Sequence, residues 1–355
     1  MSKLLRPALA VVLLTSAVPL LAQPDSVEMK KDYAPKIDGI VKVKFEGSLY
    51  DSRVRFDVRN SRFGVRGNVS ENMSYRTQVE FSNEGKLSVL DAYVTYRLPL
   101  VAVSLGQQHY AFSTDLARNP MQNIFANRTF VAKYAVNFSY LADTSVKVGS
   151  MGSRDIGGLL AISLRRWAPI VLKVGLFNGS GVNNPVWQES LNISAKAEYG
   201  GERGLQAAIS YYNGQTPHAQ NITMWGGELR YIANAFTLDG EAVQRTYSFN
   251  SEQNTLTAAY LQGFYKFYLK PNSFAKYLAP TLRYDIIRNG CYDGAAGQFD
   301  AQRVSVGASL GISRKAFKGE IRVSFEKYAA SRKPVNFHAN PLLHDKVTIE
   351  MVAAF

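Results

Sequence analysis

From Asp38 to the C-terminal Phe355 the chain repeats with a period of two, and that repeat constrains its fold more than any other feature. Val41, Val43 and Phe45 alternate with Lys42, Lys44 and Glu46. Tyr75, Thr77, Val79 and Phe81 alternate with Arg76, Gln78 and Glu80, and Val304, Val306 and Ala308 with Arg303, Ser305 and Gly307. Successive side chains of a strand point to opposite faces, so such a segment meets an apolar medium on one side and a polar one on the other. Sixteen segments read this way: 38–49, 54–67, 73–83, 88–98, 100–108, 155–166, 169–177, 190–200, 204–213, 223–232, 234–247, 255–269, 276–288, 302–313, 317–328 and 346–355. Every second connection is short, and the intervening set is mostly longer, headed by 109–154.

Two architectures put each face in its own medium. A soluble sandwich turns the apolar faces inward. A closed transmembrane barrel turns them outward to lipid and leaves the polar faces on a lumen. An open sheet is excluded in lipid, because each unpaired edge group costs several kcal/mol there. Sixteen long strands with no second buried set favour the barrel, and at about that size a barrel encloses an aqueous channel. An even count also suits a chain whose two ends lie on the short-turn side.

The N-terminus supports export. Met1 to Ala22 has a charged start (Lys3, Arg6), an apolar middle (Leu9 to Val18) and a small residue before a cut at Ala22, the pattern of a cleaved signal peptide. Residues 23–37 read as a periplasmic lead-in and 38–355 as the barrel domain. No segment reaches the roughly 18 uninterrupted apolar residues of a membrane helix. The 20 Tyr, 19 Phe and 3 Trp suit a protein with wet and apolar boundaries. The final run, Val347 to Phe355, alternates and ends in an aromatic, like the signal by which the barrel-assembly machinery recognises its clients.

The net charge is +13, and +11 once the two cations of residues 1–22 are subtracted. The basic residues are scattered along strands, not gathered on a helix or in a run, which argues against nucleic acid. No catalytic, metal or cofactor constellation is present. His109, His218, His338 and His344 stand apart from one another, and the single Cys291 has no histidine near it in sequence.

Four short stretches carry a resemblance: Asn60-Ser61-Arg62-Phe63-Gly64-Val65-Arg66-Gly67, Leu105-Gly106-Gln107-Gln108, Arg154-Asp155-Ile156-Gly157 and Phe177-Asn178-Gly179-Ser180-Gly181-Val182-Asn183. They resemble the phosphate-selective porin O and P family. The resemblance implies a sixteen-stranded barrel of the bacterial outer membrane, a homotrimer in lipid, with a basic lumen and a third loop folded inward. Loop 109–154 takes that part; its Arg118, Arg128, Lys133 and Arg154 face Asp115, Asp143 and Asp155 in composition, and its aromatics need something to pack on.

Strand alternation turns Arg55, Arg59, Arg76, Arg97, Lys173, Arg230, Arg283, Arg303 and Arg322 into the lumen, and Arg62 follows if the second strand changes register near Asn60. With Arg118, Arg128 and Lys133 they form the expected pathway for small anions, since a guanidinium fork replaces the hydration of an oxyanion. Asp57, Glu80, Asp91, Glu228, Asp285 and Glu326 are the counter-charges that neutralise some of them. A non-selective porin, a plugged barrel serving as adhesin or scaffold, and a soluble secreted β-protein remain the alternatives.

Overall fold

The computed structural model describes residues 33–83, 86–136, 154–217, 220–249, 252–270, 272–291, 298–312, 318–333 and 343–355. Residues 1–32, which hold the expected signal peptide and most of the expected lead-in, and Asp143, His218 and His338 lie outside them.

Among the described residues seventeen strands form one sheet; all pairings are antiparallel and join strands consecutive in sequence, except β1 with β17 and β12 with β14. They are β1 (Lys36–Ser48), β2 (Val54–Asn68), β3 (Met73–Asn83), β4 (Lys86–Arg97), β5 (Val101–His109), β6 (Arg154–Ser163), β7 (Ile170–Phe177), β8 (Asn192–Tyr199) and β9 (Gly204–Gln215). The rest are β10 (Asn221–Ala233), β11 (Phe236–Phe249), β12 (Glu252–Tyr265), β13 (Phe267–Tyr268), β14 (Tyr277–Cys291), β15 (Gln298–Gly311), β16 (Lys318–Arg332) and β17 (Lys346–Ala354). The short β13 continues β12 past Lys266, and both pair with β14, so the barrel has sixteen staves. At the break the Lys266 N–H still bonds the Ala235 carbonyl at 2.9 Å, continuing the ladder with β11.

Closure is made by β1, which pairs with β2 on one side and β17 on the other. Gly39 and Phe355 exchange both backbone hydrogen bonds, at 2.9 and 3.0 Å, so the last residue seals the seam. Every stave therefore has two partners, as lipid demands.

The two faces sort as the alternation requires. Along β1, Val41 and Val43 are exposed while Lys42 is wholly buried and Lys44 nearly so. Leu105, Ile209, Leu229, Val306 and Met351 also stand on the outer surface. A soluble sandwich would bury these apolar side chains and expose the lysines; the reverse is found. Aromatics crowd the short-turn end, where Tyr96, Trp167, Tyr199, Tyr231, Tyr265 and Tyr268 are exposed in the manner of an interfacial girdle.

In β2 the expected change of register occurs: pairing with β1 shifts between Lys42 and Val43, where Val58 and Asn60 take consecutive partners and Arg59 is the extra residue. Strand limits differ from the sequence reading by a few residues; the barrel begins at Lys36 rather than Asp38, for example.

Candidate solute pathway

The loop after β5 folds into the barrel. Ser113 caps a four-residue helix, Thr114–Ala117, by accepting the Leu116 N–H. A short turn at Pro120–Gln122 and a wide turn at Val131–Ala135 follow. Wall side chains hold the loop by its backbone. Lys42 donates to the Pro120 carbonyl (3.4 Å), Arg322 to Met121 (3.1 Å), Arg283 to Asn127 (2.9 Å), Arg303 to Arg128 (2.7 Å) and Arg245 to Ala135 (3.0 Å). Wall carboxylates take loop N–H groups: Glu228 from Thr114 (3.1 Å), Glu241 from Asp115 (3.3 Å) and Asp285 from Phe130 (3.0 Å).

One side of the lumen is dry. Tyr110, Phe112, Phe130, Tyr134 and Val136 of the loop pack with Phe177, Tyr212, Met224, Val243, Leu256, Ile287 and Phe299 of the wall in one buried apolar cluster. The sequence reading fills the whole lumen with water. The structure corrects this for one patch of the wall between β7 and β15, where Phe177, Tyr212, Met224, Val243, Leu256, Ile287 and Phe299 face the lumen and the loop covers them, with charged clamps such as Arg283 and Arg303 alongside.

Apart from Lys173, which pairs with Glu198 at 2.8 Å, and Arg230, which lines a separate recess, the expected cations divide into three groups. Arg283, Arg303 and Arg322 are clamps: beside their loop carbonyls they contact Asp285 (2.9 Å to Arg283, 2.8 Å to Arg303), Glu326 and Glu350. Arg118 joins them, buried against Asp239 and the Tyr260 hydroxyl. Lys133 lies over the Tyr134 ring at 4.9 Å, on the dry side, and Arg97 sits exposed beside Ser74 at the short-turn end.

The remaining group comes together. β2 carries Arg55, Arg59, Arg62 and Arg66 down one line of the wall, at about 3.3 Å of rise per residue. Arg55 is half exposed and bonded to Glu46 at 2.8 Å; Arg59 lies 3.9 Å from Glu350; Arg62 is buried against Glu80 at 2.6 Å. Arg76 of β3, opposite Arg66, pairs with Asp38. Arg128 of the loop faces this line. Burial, with the charges of Arg59, Arg62 and Arg154 alongside, depresses its guanidinium below the ordinary arginine value, which marks a positive local field.

Below Arg128 a cavity of about 500 Å³ opens between the loop and the wall. Arg62, Arg66, Arg76, Arg118, Arg128 and Arg154 line it, with Asp38 and Asp91 as the acids; Glu80 and Asp239 behind the lining hold Arg62 and Arg118, so six cations less four anions leaves +2. Two of these arginines escaped the sequence reading as pathway residues. Arg66 follows from continuing the alternation past the bulge, 62-64-66. Arg154 was counted with the loop, but it opens β6 and reaches Asp91.

Motif residues outside the pathway have structural reasons. Gly106 has φ +129°, and a Cβ there would stand 2.2 Å from the Ala92 carbonyl oxygen. Gly179, at φ +75°, gives its N–H to the wholly buried Asp155 carboxylate, so the Arg-Asp-Ile-Gly and Asn-Gly-Ser-Gly stretches are two halves of one knot.

A closed barrel with an apolar exterior, a loop across its lumen and a basic channel beside the loop is the porin fold of the bacterial outer membrane. Residues 41–159 match the model of the family described as phosphate-selective porin O and P. The barrel is similar to the anion-selective porin from Comamonas acidovorans (13% identity, TM-score 0.64, 91% of this chain and 99% of that one). It is similar to Salmonella typhi OmpF, solved with daunomycin (13%, TM-score 0.63, 90% and 97%). The trimer form of Vibrio cholerae OmpT is a third likeness (11%, TM-score 0.58, 91% and 98%). No curated protein matches the chain in sequence.

Proposed function

We propose that the protein is a passive, anion-preferring porin whose solutes pass along the β2 arginines, between that wall and the loop, into the basic cavity. The observation that carries this is the line Arg55, Arg59, Arg62 and Arg66 ending in a cavity whose six arginines outnumber the carboxylates that hold them by two. An anion that sheds water at the Arg128 narrowing regains donors from guanidinium groups, and successive sites along one strand hand it on without a deep trap. Phosphate-like oxyanions suit the paired N–H groups of arginine best. The anion selectivity named for the Comamonas porin, and the family name itself, agree with this reading. The functional unit is a homotrimer, as in the OmpT trimer form, and Phe355 at the barrel seam is the handle for assembly.

The test is the reversal potential of the protein in a planar bilayer under a potassium chloride gradient. A chloride-selective sign is expected; a potassium-selective sign overturns the proposal.

One observation favours a second reading, the plugged barrel: loop residues such as Phe130, Val131 and Tyr134 are as buried as a soluble core. Absence of conductance after reconstitution would select it.

A further inference from the structure

On the other side of Arg118, away from the β2 line, lies a second recess of about 210 Å³. Residues of the short turns, Arg165, Gly200 and Gly201, form its rim, so it opens at the end of the barrel where those turns lie. At about 30 Å³ per water it holds a molecule of roughly seven water volumes.

Its lining is split by sign. Arg230 stands opposite Asp239 across β10 and β11. Asp239, however, is taken by Arg118, by the Tyr260 hydroxyl (3.0 Å) and by Gln262 (3.2 Å). Among the described residues Arg230 makes no ion pair, and its buried Nε has no hydrogen-bond partner. Two residues along the same face of the same two strands are Glu228 and Glu241, directly opposite one another. Lys196 donates to Glu228 at 2.7 Å. Glu241 is 4% exposed; one oxygen takes the Asp115 N–H, the Ser113 hydroxyl lies beside the carboxylate, and among the described residues Oε1 makes no hydrogen bond.

Like charges opposite each other on a sheet repel, and a buried oxygen or N–H left unmade costs about 1–3 kcal/mol, more when charged. A cavity holding one of each sign is satisfied by a ligand that brings both complements. We propose that this recess binds a small zwitterion of the α-amino-acid class, its carboxylate on Arg230 and its ammonium against Glu228 and Glu241. The recess shares only Arg118 with the cavity of the anion path, and Arg230 and Glu241 do not line that cavity, so the loss of one reading leaves the other intact.

The test is isothermal titration calorimetry on the full chain folded in detergent, with L-alanine, propionate and ethylammonium as probes. L-alanine is expected to bind roughly tenfold or more tighter than either half-molecule, the scale of one charge-assisted hydrogen bond. Arg230→Gln and Glu241→Gln should each weaken L-alanine by a similar factor, while the unheated protein keeps its compact gel migration. Propionate binding as tightly as L-alanine would make the recess a plain anion site and overturn the proposal. Absence of L-alanine binding, or unchanged affinity in both folded variants, would do the same.

Discussion

At the scale of single residues, what separates the lumen cations is whether a carboxylate already holds them. Arg62 is buried and its charge is met by Glu80, which also accepts from Asn60 (3.1 Å) and the Ser61 N–H (2.7 Å). Glu80→Ala therefore leaves a buried guanidinium without its counter-charge. It is expected to lower stability by about 3–5 kcal/mol, read from urea unfolding in detergent micelles. A loss under 1 kcal/mol would mean that water reaches Arg62. The alternation along β2 made Arg55 and Arg59 readable as lumen residues from sequence. It could not say that Arg283, Arg303 and Arg322 spend their donors on loop carbonyls, because those partners lie more than a hundred residues away.

Among the elements, the loop decides the character of the lumen. Its aromatics make a core with one patch of the wall between β7 and β15, so Phe130→Ala should cost about 3–5 kcal/mol, seen as a lower unfolding midpoint by circular dichroism. A neutral outcome would mean that this packing is not held in solution. Removing residues 112–135 should raise single-channel conductance and weaken ion selectivity, since both the dry core and Arg128 leave the lumen; unchanged conductance would show that the loop does not set the bore. The long connection and its aromatics marked this loop in the sequence, but not the wall it leans on. A signal existed: Ile222 and Met224 in β10, and Leu256 with Ala258 in β12, are apolar where a water-facing lumen asks for polar side chains. Loss of alternation toward one end of neighbouring staves means both faces are covered.

For the whole molecule, the fold was legible because each stave repeats one rule, and sixteen repeats leave little room for error. Even where one stave is interrupted at Lys266, the segment read from sequence, 255–269, spans both of its parts. A one-sided basic path also has a consequence at long range. Raising ionic strength from about 0.1 M to 1 M shortens the screening length from about 10 Å to about 3 Å. Anion preference should fall steadily over that range if the field of the β2 line sets it, and stay constant if only contact sites do.

Arg59 and Arg66 lie on that line, and the side chain of Arg66 is exposed, so both can be neutralised without stranding a buried charge. The most direct measurement is the reversal potential, in a potassium chloride gradient at low salt, of Arg59→Gln/Arg66→Gln beside the unaltered protein. A chloride-selective potential in the parent that moves clearly toward zero in the double variant is the expected result. An identical potential in both would mean that solutes do not travel along β2.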